Sequence, residues 1–149
     1  MALIQVTVKS ITGRKLTGTT QSVVLNSENC FDIEAYGADT RMRYVKNPND
    51  RNDKALLITI DETIASILAA ANTAYGDVWV KLPVETVVGG DTTDRYIPVK
   101  SITWCEAVAS ESDHVYCEYN VGGFKTQQVM VPFSLNDMRY VSSTGTSSS

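Results

Sequence analysis

The sequence predicts a mainly β fold, a compact barrel- or sandwich-like domain with one main helix at about 62–75. Three observations predict it. Short runs alternate apolar and polar residues, as a strand with one face buried must. Clusters of Gly, Asn, Asp and Pro punctuate those runs at hairpin spacing. One stretch alone shifts its apolar residues to helical spacing.

Residues 3–11 (LIQVTVKSI) carry period-2 alternation and read as the first strand. Residues 12–20 are rich in Gly and Thr and read as a loop; residues 22–25 and 31–36 read as further short strands. A turn at 36–39 leads into alternating residues 40–45. The polar stretch 46–54, with Asn47-Pro48-Asn49-Asp50, must then be a surface connection, which makes a hairpin with a long arm. After a strand at 55–60, Ile64, Ile67, Leu68 and Ala71 fall at i, i+3, i+4 and i+7, one face of a helix. Asp61 is the expected cap, Glu62 favours the positive end of the helix dipole, and Gly76 stands where the chain leaves the helix. Short β runs follow at 78–82, 85–88, 96–102, 115–119 and 128–131.

The 149 residues suit one domain, expected at 1–141, followed by a Ser/Thr-rich tail at 142–149 that has nothing to bury. With 43% hydrophobic and 20% charged residues, the chain can fold without metal or disulfide staples. A net charge of -4 offers no overall attraction to nucleic acid or to anionic lipid. No apolar run is long enough to cross a bilayer, and residues 1–8 lack a signal-peptide pattern, so synthesis in the cytoplasm is expected. Three cysteines without short paired spacing fit a reducing compartment.

Val8-Lys9-Ser10-Ile11-Thr12 recurs as Val99-Lys100-Ser101-Ile102-Thr103. Behind each copy the chain reads strand, hairpin, strand and capped turn, the second ending in Ser134-Leu135-Asn136-Asp137, an acidic variant of the capping box. This marks a candidate duplication of β units at about 8–68 and 99–141. Convergence of β-branched pentamers is the competing explanation.

Groups able to do chemistry are few. His114 is the only histidine, and its place beside Asp113 near a hairpin turn argues for a surface or hairpin-packing role. A hairpin centred on Glu111 sets Cys105 opposite Cys117. Buried thiols or a cross-strand disulfide both satisfy that geometry, and Cys30 stays unpaired either way. Cys30, Cys105, Cys117 and His114 are zinc-ligand types without the spacing of a zinc site. Glu106, Glu111, Asp113 and Glu118 read as exposed acids. Residues 89–94 lack the oxygen spacing of a calcium loop, and no phosphate- or dinucleotide-binding motif occurs. No catalytic residue, cofactor or metal ligand is therefore assigned, and the chain is not expected to be an enzyme.

Charge marks one place. Arg41, Arg43, Lys46, Arg51 and Lys54 form a basic arm offset by Asp50 and Asp53, suited either to solvation or to an acidic partner surface. With Ser142, Thr144 and Ser147 of the tail, these are the expected partner-binding residues.

The repeated Val-Lys-Ser-Ile strands, the hairpin residues 114–119 followed by Gly122-Gly123, and the capped turn at 134–137 resemble small accessory proteins of tailed bacteriophage virions. The likeness is one of pattern over most of the chain. It implies a non-enzymatic structural subunit, a capsid decoration or cement protein or a neck component. Its partners would be other virion proteins or copies of itself, with no direct nucleic-acid, membrane or small-molecule partner. It also implies a place in the virion after synthesis in the host cytoplasm. The alternative is a small β ligand-binding or adhesion module, with Trp79, Trp104, Tyr96 and Tyr116 lining a groove.

Overall fold

A computed structural model describes residues 3–16, 18–75, 79–122 and 124–138. The protein is mainly β, with one main helix, and divides into two compact units. The first comprises Met1–Asp77 with the loop Val121–Lys125; the second comprises Val78–Asn120 with Thr126–Ser149.

The first unit holds β1 (Leu3–Ile11), β2 (Gln21–Asn26), β3 (Cys30–Tyr36), β4 (Asp39–Tyr44), β5 (Leu56–Ile60) and α1 (Ile64–Tyr75). Its strands lie in the order β2-β1-β5-β4-β3, antiparallel throughout. Alternation decides which side chains go inside. Val6 and Val8 of β1, Met42 and Tyr44 of β4, and Ile58 and Ile60 of β5 are all buried, and across the ladder Val8 faces Ile60 while Met42 faces Ile58. Such cross-strand apolar pairs fix the register, because a slip of one residue would turn each of them outward. Helix α1 packs on β1 and β3 and buries Ile67.

The helix begins two residues later than its apolar spacing and acidic flank suggest. Thr63, not Asp61, caps it: the Thr63 Oγ1 accepts from the Ser66 N–H at 3.2 Å. Glu62 serves β1 instead, where its Oε1 accepts from the Thr7 N–H at 2.7 Å, while the Asp61 N–H donates to the Thr7 carbonyl. The Glu62 carboxylate is thereby drawn to the strand end, Asp61 is held there by its backbone, and the Thr63 hydroxyl becomes the cap. Gly76 lies outside the described residues.

The second unit holds β6 (Trp79–Glu85), β7 (Thr92–Pro98), β8 (Ile102–Val108), β9 (Glu111–Asn120) and β10 (Thr126–Val131), in the order β7-β6-β10-β9-β8. Renumbered from its own first strand, this is the order of the first unit. The correspondence reaches details of register. A 3-10 turn precedes the third strand in each, at Ser27–Asn29 and Val99–Ser101. The third and fourth strands are offset by a bulge at the same step, between Cys30 and Asp32 in one and between Ile102 and Trp104 in the other. Tyr44 and Tyr119 pair with Cys30 and Ile102 on the near side of that bulge, and both rings are buried. The fifth strand then runs into a capped helical turn. The Ser134 Oγ accepts from the Asp137 N–H, as Thr63 does for Ser66, and Met138 is buried where α1 buries Ile67.

The echoed pentamers do not coincide in this correspondence. Residues 8–11 end β1, whereas residues 99–101 form the 3-10 turn before β8. Pro98 opens that turn, so the expected strand 96–102 is split between β7 and β8. Residues 86–88 are not a strand either. The Gly90 N–H closes a turn on the Val87 carbonyl, leaving Val87 63% and Val88 45% exposed. Among the described residues, the run of strands closes on itself in neither unit.

The loop Val121–Lys125 is held to the first unit by Gly122. Its φ of +79° lies in the left-handed region, and a Cβ there would sit 3.1 Å from Val45, 3.2 Å from Phe31 and 3.3 Å from Pro48. Only glycine meets both demands.

Candidate functional site

β2 and β8 each have a single strand neighbour among the described residues, β1 and β9 respectively. Their other edges present backbone N–H and C=O groups along six and seven residues. Natural sheets guard such edges with Lys, Pro or inward charges. Neither strand does so: β2 (QSVVLN) has no charged residue, and β8 (ITWCEAV) has only Glu106. Each also turns a large apolar side chain outward, Val24 at 62% exposure and Trp104 at 57%. An exposed indole on an unguarded edge favours strand addition, in which backbone pairing supplies affinity and the side chain supplies specificity. The sequence marks Trp104 only as an aromatic at a strand position; its exposure follows from β8 being outermost.

The basic arm is partly consumed by the first unit. Arg41 pairs with Glu34 across β3–β4, with its guanidinium 4.5 Å from the centre of the Tyr36 ring. Arg43 pairs with the buried Asp32 at 3.2 Å and is itself largely covered. Arg51 lies over the Phe124 ring, 5.3 Å from its centre. Lys46 and Lys54 are exposed. Thus Arg41 and Arg43 hold the β3–β4 hairpin, while Lys46 and Lys54 extend into solvent. Opposite charges on neighbouring strands were visible as Glu34, Asp32, Arg41 and Arg43, but their pairing needs the register. Ser142, Thr144 and Ser147 lie outside the described residues.

Lys46 also borders a groove of about 590 Å³ in the first unit, floored by Val8, Val23 and Ile58 and rimmed by Arg14 and Lys15. Tyr44 is the one aromatic residue in its lining. The four aromatics expected to share a groove do not line it: Trp79 is buried, Trp104 is on the edge strand, and Tyr96 and Tyr116 are half-buried on β7 and β9.

His114 is buried, contrary to a solvated place at the hairpin mouth. The turn falls at Ala109-Ser110, not at Glu111, because a bulge between Ala107 and Val108 shifts the register; Ser110 adopts φ +66° to complete it. His114 is the last of the three β9 residues, 112–114, inserted between the Glu111 and Val115 pairs. Its Nδ1 lies 2.9 Å from Asp113 Oδ1 and its Nε2 lies 3.0 Å from the buried Glu85 Oε2, which also accepts from the Gly89 N–H. The hydrogen bond to Asp113 raises the His114 pKa above 6.5, burial opposes it, and Glu85 adds to the rise. As an imidazolium, His114 donates to both carboxylates. The same bond lowers the Asp113 pKa below 3.8. Glu111, Asp113 and His114 bring one ligand atom each within 4.8 Å of one another, a donor set of the type that divalent cations take. With its nitrogens engaged by two acids, His114 is equipped to brace β9 against the β6 end; no adjacent hydroxyl or thiol nucleophile bonds to it among the described residues.

Cys105 and Cys117 are register partners, with sulfurs 3.2 Å apart as free thiols. The hydrogen bond from Cys117 lowers the Cys105 pKa, and the same bond raises that of Cys117. Cys30 belongs to the first unit, where burial pushes its thiol pKa up.

No family model, curated protein or solved structure matches the chain.

Proposed function

We propose that this chain is a non-enzymatic assembly subunit that joins neighbouring subunits by strand addition at its open edges. In the favoured setting it is an accessory subunit of a virion, decorating or cementing a capsid or completing a neck, with copies of itself as the first partner. One observation carries the reading: β8 is an outermost strand with no Lys or Pro to guard it and with Trp104 turned out to solvent. A monomer gains nothing from this arrangement and risks aggregation by it. Burying the exposed part of such an indole gains on the order of 1–2 kcal/mol, beyond the backbone pairing. Lys46 and Lys54, left in solvent, supply charge for an acidic neighbouring surface.

Sedimentation velocity across a concentration series tests this. The wild-type chain is expected to grow beyond a monomer with concentration, and Trp104→Glu to remain monomeric with an unchanged circular dichroism spectrum. A wild-type chain that stays monomeric throughout overturns strand-edge self-assembly.

The groove favours a second reading, a small ligand-binding module whose apolar floor and cationic rim suit an anionic amphiphile. Titration with a fluorescent fatty acid distinguishes it: saturable one-to-one binding that is lost in Lys46→Glu supports the module.

A further inference from the structure

We propose that Cys105 and Cys117 form a redox-active dithiol that closes into a cross-strand disulfide and clamps the β8–β9 hairpin. The inference is independent of any docking role for β8. The two residues stand directly opposite in the ladder, and their sulfurs are already at 3.2 Å. Reaching a disulfide bond of about 2.05 Å requires roughly 1 Å of sulfur movement, within the reach of side-chain rotation. Cys30 is excluded as a competitor, being buried in the first unit with its thiol engaged on the Asp32 carbonyl.

The two sulfurs differ in exposure, and this assigns their order of reaction. Cys105 is half-buried on the outermost strand, whereas Cys117 is fully buried on β9. A small disulfide such as oxidised glutathione can reach only Cys105. The Cys105 thiolate, stabilised by the Cys117 S–H, attacks one glutathione sulfur. The glutathione S–S bond breaks, and one glutathione thiolate leaves and takes up a proton. Cys105 is then uncharged in a mixed disulfide, so the anion that kept Cys117 protonated is gone. Cys117 loses its proton and attacks the Cys105 sulfur, forming the cross-strand bond and expelling the second glutathione thiolate. In sum two protein thiols are oxidised, one glutathione disulfide is reduced to two thiols, and no other reactant is needed.

The bridge would close a loop of about 13 residues, enough to raise the melting temperature by roughly 5 °C or more if the native geometry is kept. In a reducing cytoplasm the pair stays open; on exposure to oxidant the hairpin that carries the outermost strand is locked.

The test uses the full chain incubated with oxidised glutathione, followed by intact mass, thiol titration in denaturant and a thermal melt. The expected results are a mass loss of about 2 Da, a fall in titratable thiols from three to one, and a higher melting temperature reversed by dithiothreitol. Cys105→Ser should abolish all three changes and Cys30→Ser none of them. Retention of three thiols, a mixed disulfide that persists on Cys105, or loss of the effect in Cys30→Ser would overturn the proposal.

Discussion

His114, held between Asp113 and Glu85 with Glu111 nearby, links charge to stability within one hairpin. Its pKa is raised in the fold, so its contribution is complete below pH 6.5 and is lost as pH rises through the folded value. Asp113 acts in the opposite sense: its pKa is lowered, so its contribution is present above pH 3.8 and is lost as pH falls through its folded value. Urea midpoints of the wild type are therefore expected to be highest between these limits and to fall on the alkaline side, while His114→Gln shows no alkaline fall. A wild-type midpoint that rises through pH 7 to 8 contradicts the arrangement. Arg43 offers a second residue-scale test. Its removal strips a cation from the buried Asp32, so Arg43→Ala should cost roughly 2–3 kcal/mol in denaturant melts. Arg41→Ala, whose pair is more open, should cost under about 1 kcal/mol. Gly122→Ala should cost about 1–3 kcal/mol, since it adds left-handed strain to a close approach on Val45 and Phe31. The residue types at all these positions were readable in the sequence. Burial of His114 was not, because it lies in a three-residue irregularity of β9, 112–114, that period-2 reasoning does not register.

At the scale of elements, caps and edges make the testable claims. Thr63→Ala and Ser134→Ala remove equivalent side-chain caps and should each cost about 1 kcal/mol, with Asp61→Ala at less than half of that. Equal losses for Thr63 and Asp61 would mean that the cap is misplaced. Strand positions were legible wherever β-branched alternation was undiluted: β1 matches its expected residues 3–11, and β4, β5 and β10 fall within two residues of theirs. Legibility failed where a β-branched run is bent by its surroundings. Val87 and Val88 carry strand propensity but lie in a Gly-closed turn, and Val99 follows a proline whose missing N–H ends β7. Which strands are outermost was not legible at all, since strand order is set by pairings distant in sequence.

For the whole molecule, the recurrence of one strand order, one bulge, one 3-10 turn and one capped turn supports a duplicated ancestor, proposed here on register and not on the echoed pentamers. The sequence carries this faintly because what is kept is the alternation and the special backbone positions, not the side chains: Met42 and Cys117 occupy one ladder position, as do Ile33 and Cys105. If each unit is a folding module, a chain of the first unit alone should lose cooperativity, since the loop Val121–Lys125 that completes it would be missing. The assembly role rests on the outer edge of β8. Hydrogen–deuterium exchange of the residue 102–108 amides, followed as protein concentration is raised, tests it most directly. Exchange should slow with concentration in the wild type and stay fast in Trp104→Glu. Exchange at these amides that is independent of concentration, while larger species form, would contradict pairing through this edge.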